Sequence, residues 1–238
     1  MLGVERIAGD VVADGSRYDD DLRPTDWPAS VSLVEAGRVD ALVVDRGRLS
    51  SSPRNVAFDP VQAAARTLVD VLRARGVVVE GFPRTGTMPP DVPPIASVRG
   101  EPLSRVLAGM FNTDDPDIAE FVLKEIGVRV SGRGTRAAGA DAIADLVASW
   151  GAAGVVMTDG SGLGPDNRVS CGALLAGWER ANGLLPDGLV EFAGEGDVLG
   201  TMGDGPPVAA IGSAPVIADA LALLSDPLDV ASLREVSP

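Results

Sequence analysis

Five prolines lie between Gly81 and Pro94, and this density of proline limits the folds that the chain can adopt. Proline fixes its own φ angle and has no backbone N–H, so such a segment continues neither a helix nor a central strand. The 238 residues are enough for one large domain or two smaller ones. We therefore interpret residues 81–94 as a linker or a domain boundary.

The region before this segment has the pattern of alternating strands and helices. Residues 3–13, 39–45 and 77–79 are rich in valine, and each predicts a strand. Residues 60–75 predict a helix that begins with proline in its first turn, is capped by Asp59 and is followed by a glycine. The apolar positions expected to be buried in this helix are Val61, Ala65, Leu68 and Leu72.

The region after the proline-rich segment is mostly helical. Short patterns predict a helix at 103–111, a strand at 155–158 and a last helix at 213–224. Three further helices begin at a capping residue, namely Asp115 (with a stop at Gly127), Thr135 and Ser170. The positions expected to be buried after Asp115 are Ile118, Phe121, Val122 and Ile126. The fold class predicted from this order of elements is mixed α/β (α+β).

Charge and hydropathy exclude several classes of partner. The formal net charge is −14, so the chain would repel a phosphate backbone or an anionic membrane surface, and we expect no nucleic-acid partner. No segment has the roughly 18 uninterrupted apolar residues of a membrane span, since the best candidate, 208–224, contains Pro215 and Asp219. No signal-peptide pattern opens the sequence. A single cysteine excludes an internal disulfide and leaves the compartment open.

The chain has no histidine, and Lys124 is its only lysine beside nineteen arginines. Arginine stays protonated in proteins and cannot act as a general base. Acid–base chemistry would therefore have to use carboxylates, Tyr18, Cys171 or Lys124.

Ser161 is a candidate nucleophile because it lies on a glycine-rich turn after a predicted strand. A nucleophile elbow has glycine two residues to either side of the serine, whereas Asp159 and Leu163 occupy those positions here. Such a site also needs a histidine, which the chain lacks. A tight turn, with glycines that permit positive φ, is the simpler interpretation.

The same loop, with Gly160, Gly162 and Gly164, could instead bind a phosphate group. A dinucleotide-binding loop needs its helix to begin inside the glycine run, but residues 165–167 intervene before Ser170. A small-molecule-binding α/β domain that uses residues 159–164 remains the alternative hypothesis.

Lys124 and Cys171 have simpler structural interpretations. Lys124 points away from the predicted apolar stripe, and Glu120 four residues earlier predicts a surface ion pair with it. Cys171 lies in the first turn of a helix, where a thiolate would be favoured. Without a histidine, we expect it to be a small buried or half-buried apolar residue.

An acidic cluster at Asp114, Asp115 and Asp117 could bind a hard cation. Carboxylates are favoured at helix N-termini in any case, so capping is the preferred interpretation. No His/Cys metal spacing is present, and we expect neither a metal nor a cofactor.

Taken in order, several segments resemble the later part of the class C low-molecular-mass penicillin-binding proteins, which are serine D-alanyl-D-alanine carboxypeptidases and endopeptidases. The most specific match is Asp159-Gly160-Ser161-Gly162-Leu163 followed by Asn167. The other matching segments are Asp14 to Tyr18, Trp27-Pro28, Val39 to Leu42, Asp59 to Ala65, Ile118 to Glu120, Leu123-Lys124 and Gly200-Thr201-Met202.

The resemblance implies a division of the chain and a set of missing motifs. Residues 1–94 would be an accessory insertion domain, and 95–238 an incomplete penicillin-binding catalytic domain. The family's Ser-x-x-Lys occurs nowhere here, and its Lys-Thr-Gly is absent because no lysine follows Lys124. Asp114-Asp115-Pro116 occupies the place of its Ser-x-Asn motif, without the hydroxyl or the amide.

We therefore expect a carboxypeptidase-like protein of peptidoglycan metabolism that is non-catalytic in this form, either a fragment or a degenerate relative. The partners implied are a peptidoglycan stem peptide or another protein chain, including a second copy bound through an exposed sheet edge. The family implies residence in the cell envelope, in the periplasm or outside the cell.

Overall fold

The computed structural model describes residues 3–31, 33, 36–50, 52 and 55–181, together with the backbone of two strands at 197–201 and 207–211. The chain divides into two compact units, Met1–Asp145 with Val156–Asn167 and Leu146–Val155 with Arg168–Pro238. The predicted mixed α/β class is confirmed.

Five helices and eight short strands lie in the described part of the chain. The helices are α1 (Pro60–Ala74), α2 (Leu103–Thr113), α3 (Pro116–Ser131), α4 (Arg136–Ser149) and α5 (Cys171–Ala181). The strands are β1 (Arg6–Ile7), β2 (Val11–Ala13), β3 (Val78–Val79), β4 (Pro83–Thr85), β5 (Val155–Val156), β6 (Arg168–Val169), β7 (Asp197–Thr201) and β8 (Pro207–Ile211). None of these helices is long and apolar enough to cross a membrane.

Strands β1 and β2 run parallel to β3 and β4 and form one two-stranded ribbon. Arg6 pairs with Val78 and Val11 with Pro83, which is a constant register along the ribbon. Helix α1 connects the two halves, so this is a β-α-β unit. Its core lies between ribbon and helix, where Ala13, Val61 and Ala65 form a buried cluster.

The predicted strand at 3–13 is confirmed only at residues 6–7 and 11–13, and it is interrupted between them. A Cβ atom on Gly81 would lie only 2.4 Å from the carbonyl oxygen of Gly9, so this close approach requires glycine. The Asp10 carboxylate accepts the Phe82 N–H at 2.8 Å in place of a backbone carbonyl. The linker interpretation of 81–94 is wrong for residues 83–85, which form β4.

Residues 39–45 form no strand, and that prediction is wrong. The backbone bends through this segment and ends in a single 3-10 turn at Asp45–Gly47. Asp45 and Arg46 have φ angles of 50° and 54°, in the left-handed region that a strand does not use. Val39 is fully buried, and its N–H bonds to the Leu22 carbonyl rather than to a sheet ladder.

Helix α1 begins and ends as predicted. Asp59 accepts the Gln62 N–H at 2.7 Å, and Gly76 follows the helix with a φ of 87°. Its buried stripe differs from the prediction in two positions, because Leu68 is 49% exposed and Leu72 is only half-buried, whereas Ala64 and Val69 are buried. The ribbon therefore meets the helix about one residue further around its axis than the sequence pattern indicated.

Helix α3 begins at the predicted cap but continues past the predicted stop at Gly127. A Cβ on Gly127 would lie 2.6 Å from the Arg133 carbonyl oxygen, so this glycine allows close packing rather than termination. The helix ends at Gly132, which has a φ of 73°. The predicted apolar stripe is only half-buried, and the buried face consists of Asp117, Glu120, Leu123, Lys124 and Gly127.

The remaining predicted caps are confirmed. Thr135 accepts the Ala138 N–H at 3.0 Å at the start of α4, and Ser170 accepts the Ala173 N–H at 3.1 Å at the start of α5. Strand β5 is shorter than the predicted 155–158, and it pairs with β6. Strands β7 and β8 form an antiparallel hairpin, although no strand was predicted at Pro207–Ile211. The helix predicted at 213–224 lies outside the described residues.

Candidate functional site

The segment Asp114-Asp115-Pro116 forms the junction between α2 and α3. Asp114 ends α2 with a φ of 48°, and Pro116 occupies the first position of α3. The Asp115 carboxylate caps α3 by accepting the N–H groups of Asp117 at 3.1 Å and Ile118 at 3.2 Å. These contacts favour the capping interpretation of the acidic cluster.

The same aspartates are held by groups from the loop that precedes α1. Arg46 forms ion pairs with both Asp115 and Asp117. Asp117 also accepts the Gly37 N–H at 2.7 Å, and burial raises the pKa of its carboxyl group. Within the described part of the chain, no group of three acidic or cysteine side chains is arranged to hold a metal ion.

A cavity of about 240 Å³ lies beside this junction. Its polar lining comes from Arg38, Arg46, Asp115 and Asp117, and three apolar side chains complete it. Opposite charges line the cavity together and neutralise one another, so it can accept a small polar group without a large electrostatic cost.

The loop at 159–167 is organised around the carboxylate of Asp159, which is almost completely buried. Its two oxygens accept hydrogen bonds from Trp27 Nε1 at 2.7 Å, Gly162 N at 2.7 Å, Gly164 N at 2.6 Å and Asn167 Nδ2 at 2.8 Å. Asn167 completes the loop by accepting the Thr158 N–H at 2.8 Å. A buried carboxylate with four donors is fully satisfied and fixes the loop in one conformation.

Glu120 holds the other side of this loop from the second turn of α3. Its Oε1 accepts the N–H groups of Gly160 at 2.7 Å and Ser161 at 2.9 Å, and its Oε2 is ion-paired with Arg136. Glu120 is fully buried, so the predicted surface ion pair with Lys124 is wrong. Sequence reasoning missed this role, although the signal was present in the resemblance, which included Ile118 to Glu120.

Both motif segments therefore meet the N-terminal half of α3. Glu120 lies five residues after Asp115, which is about 7 Å along the axis of a helix. A Cβ on Gly160 would lie 2.6 Å from the Ala119 carbonyl oxygen, so the loop packs directly on the helix backbone.

Ser161 has no activating partner among the contacts described for it. Its N–H is bonded to Glu120, and its hydroxyl oxygen accepts the Leu163 N–H at 3.4 Å. General-base activation needs a titratable group within about 3 Å of the hydroxyl. The geometry of the loop is therefore that of a structural turn.

The N–H groups of the glycine-rich loop are already used by the protein. Glu120 takes those of Gly160 and Ser161, and Asp159 takes those of Gly162 and Gly164. A phosphate group would have to displace two buried carboxylates in order to reach them.

Lys124 is fully buried, and the prediction of a solvated face is wrong. Its Nζ donates to Asp19 Oδ1 at 2.7 Å and to the Asp21 carbonyl oxygen at 2.8 Å. It also lies 5.6 Å from the centre of the Tyr18 ring. The prediction failed because it placed the core on the apolar stripe of α3, whereas α3 buries its polar face.

The segment at 17–21 is bound to α3 and α4 by further ionic contacts. Arg17 and the Tyr18 hydroxyl donate to Glu125 at 2.6 Å and 2.8 Å, and Arg136 contacts Asp21 at 2.8 Å. Burial, with the contact to Glu125, raises the pKa of Tyr18. The hydrogen bond from Arg17 lowers the pKa of Glu125. Tyr18 is therefore a neutral hydrogen-bond donor here rather than a base.

Cys171 is exposed at the start of α5, so the expectation that it is buried or half-buried is wrong. Ser170 before it caps the helix, and Cys171 is the first residue of α5.

The order of these segments is that of a known protein family. The sequence model of the D-Ala-D-Ala carboxypeptidase 3 (S13) family matches residues 51–182, which is more than half of the chain and includes both motif segments. The chain belongs to this family. The resemblance found from the sequence motifs is thereby confirmed.

Two curated relatives support the S13 assignment. A D-alanyl-D-alanine carboxypeptidase of Actinomadura sp. (strain R39) is 27% identical over 192 residues, which cover 71% of this chain and 36% of the relative. A carboxypeptidase of Mycobacterium tuberculosis is 26% identical over 178 residues, which cover 73% of this chain and 38% of the relative. The chain thus spans little more than a third of the length of these S13 proteins.

Proposed function

We propose that this chain is a D-alanyl-D-alanine carboxypeptidase-like protein of peptidoglycan metabolism that is non-catalytic in this form. The observation that carries the proposal is the use of Asp115 as a helix cap and ion-pair partner where the family has its Ser-x-Asn motif. A capping carboxylate bonded to Arg46 offers neither a hydroxyl nor an amide for proton transfer.

The state of Lys124 supports the same conclusion. It is the only amine side chain in the sequence, and it is buried in bonds to Asp19 and Asp21. A serine–lysine mechanism needs this amine beside the attacking hydroxyl. The hydroxyl of Ser161 is instead bonded to the N–H of Leu163 in its own loop.

We further propose that residues 1–94 correspond to the family's accessory insertion and residues 95–238 to an incomplete catalytic-like domain. The partner in this proposal is a peptidoglycan stem peptide or another protein chain. The small mixed-charge cavity beside Asp115 supports the first, because a peptide carries both N–H and carboxylate groups that Asp117 and Arg46 can bind.

Covalent labelling with a fluorescent β-lactam tests the proposal. The purified chain is expected to label no more strongly than a heat-denatured control, and to release no D-alanine from a stem peptide that ends in D-alanyl-D-alanine. Labelling that is lost in Ser161→Ala would contradict it, because that serine would then be a nucleophile. Ser149→Ala is the matched control, since its hydroxyl donates to the Leu146 carbonyl of its own helix.

A further inference from the structure

A second cavity, of about 370 Å³, lies at the carboxyl ends of the parallel strands β2 and β4. Residues 15–16, which follow β2, and residues 86–87, which follow β4, are part of its lining. Parallel sheets bind ligands in the crevice outside the carboxyl ends of their strands. The position and the size of this cavity are therefore those of a small-molecule site.

The charge of this cavity is negative. Asp20, Asp40 and Asp59 line it, and none of its described lining residues is a lysine or an arginine. The cavity beside Asp115 differs in this respect, because arginines line it together with the aspartates. Carboxylates that face one cavity without a cation among them attract a positively charged ligand.

Asp40 is the carboxylate of this group that is least accessible to water. It is half-buried, and its Oδ1 accepts the Ala41 N–H at 2.7 Å. The charge of Lys124 acts on it from a distance, but the Nζ of that lysine is bonded to other groups. Burial raises the pKa of the Asp40 carboxyl, and the charges of Asp59 and Asp20 add to the rise. A cation bound among these groups would stabilise their ionised forms.

The first turn of α1 contributes to the same cavity without making it an anion site. A helix N-terminus usually attracts an anion through its free N–H groups. Here Pro60 has no N–H, and the Asp59 carboxylate accepts the Gln62 N–H at 2.7 Å. The chain's own carboxylate thus occupies the place that an anion would take.

The remaining wall of the cavity is largely apolar. Tyr18, Leu22, Phe58 and Val61 line it, and Phe58 is 83% exposed. A hydrated inorganic cation gains nothing from such a wall, and no group of three acidic side chains among the described residues is arranged to hold a metal ion. Carboxylates beside apolar side chains suit an organic cation that carries its charge on an alkyl chain.

We propose that this cavity binds a primary alkylammonium group, with the ammonium between Asp20 and Asp40 and the alkyl chain against Leu22 and Val61. An ammonium group has three N–H donors. Further acceptors are available from three hydroxyl-bearing residues of the lining, namely Ser16, Thr85 and Thr87. The inference does not rest on the proposed function, because none of the described lining residues lies in 114–116 or 159–167.

Nuclear magnetic resonance of the ¹⁵N-labelled 238-residue chain tests the proposal with n-pentylammonium as the probe. At pH 7 this amine is fully protonated, since an alkylamine has a pKa of about 10. The amide signals of residues 15–16 and 86–87 are expected to shift, with a Kd on the order of 1 mM for so small a ligand. Pentan-1-ol has the same chain without the charge and is expected to bind about tenfold more weakly or worse.

A pair of variants separates the cavity from the general charge of the chain. Asp40→Asn keeps an acceptor for the Ala41 N–H, removes the charge, and is expected to raise the Kd by about tenfold. Asp70→Asn removes the same charge from an exposed position of α1 outside the cavity and should change the Kd by less than about twofold. If Asp40→Asn fails to fold, Asp20→Asn, at an exposed position, takes its place with the same expected weakening.

A capped tripeptide, acetyl-Gly-Lys-Gly-amide, distinguishes two sources of the ammonium group. Shifts of the same amide signals by the tripeptide would assign the cavity to a lysine-type side chain of a peptide. Shifts by n-pentylammonium alone would assign it to a free amine. Both results support the proposal.

Three results would overturn it. The first is the absence of shifts at residues 15–16 and 86–87 with either probe at about 20 mM, well above the expected Kd. The second is equal weakening by Asp40→Asn and Asp70→Asn, which would show a general attraction to a chain of net charge −14. The third is equal binding of pentan-1-ol, which would show an apolar cavity without selection for charge.

Discussion

Trp27 donates its indole N–H to the carboxylate of Asp159 at 2.7 Å, and this bond joins two loops that lie 132 positions apart in the sequence. Both side chains are buried. The bond places the loop before α1 against the loop that carries the most specific family motif. Asp159 is thus a structural centre of the first unit rather than a free carboxylate.

Replacing Asp159 by asparagine is expected to lower the free energy of unfolding by about 2–4 kcal/mol. The carboxylate now accepts hydrogen bonds from four donors. The amide NH₂ of asparagine would face two of these buried donors and leave them without an acceptor. Chemical denaturation followed by tryptophan fluorescence measures the loss. Asp166→Asn, at an exposed position of the same loop, should change stability by less than about 0.5 kcal/mol.

Changing Lys124 to methionine is expected to cost about 2–3 kcal/mol of stability. Methionine keeps most of the length of the side chain, being one heavy atom shorter, but removes both hydrogen bonds to Asp19 and Asp21. Urea unfolding gives the value. In the control Arg105→Met, the lost ion pair with Glu101 is solvent-exposed and should matter little. Equal effects of the two changes would mean that Lys124 is solvated.

The contact between α3 and α4 depends on glycine. A Cβ on Gly139 would lie 2.0 Å from the Leu123 carbonyl oxygen, so Gly139→Ala is expected to destabilise the chain by about 1–3 kcal/mol or more. Gly109 of α2 has open space around the same position. Gly109→Ala should therefore stabilise by about 0.5–1 kcal/mol through helix propensity. Thermal melting of both variants tests this difference in sign.

The contact of Glu125 with Arg17 and Tyr18 predicts a dependence on pH. The pKa of Glu125 is lowered in the folded state, so its contribution is present above the usual value of 4.5 and is lost as pH falls through the lowered pKa. Glu125→Gln should be less stable than the parent at pH 7, by about 0.5–1 kcal/mol for this partly exposed pair. Melting curves from pH 7 to pH 2 should converge at the acidic end. A difference that persists there would assign the effect to packing.

Restoring the second motif alone is not expected to restore activity. Asp114→Ser combined with Pro116→Asn recreates a Ser-x-Asn sequence, but the chain still has no Ser-x-x-Lys. Labelling by a fluorescent β-lactam should stay at the background of the parent chain. Labelling well above that background would mean that another nucleophile and base are already in place.

The sequence by itself determined the helix starts and the family. The caps at Asp59, Asp115, Thr135 and Ser170 were all found from the sequence, because an N-cap depends on residues within one turn of it. The ordered motifs likewise identified the S13 relationship, since motif order is a property of the chain alone.

Only the tertiary structure decided which side of α3 is buried and what lies in its core. Glu120 and Lys124 look like an exposed ion pair at helical spacing, yet each is buried with a partner from a distant segment, Arg136 and Asp19. The valine-rich run at 39–45 likewise forms no strand, because its neighbour is the Leu22 carbonyl rather than another strand. Whether a charged side chain can be buried, and whether a valine-rich segment finds another strand to pair with, depends on distant partners. Local sequence patterns do not contain those partners.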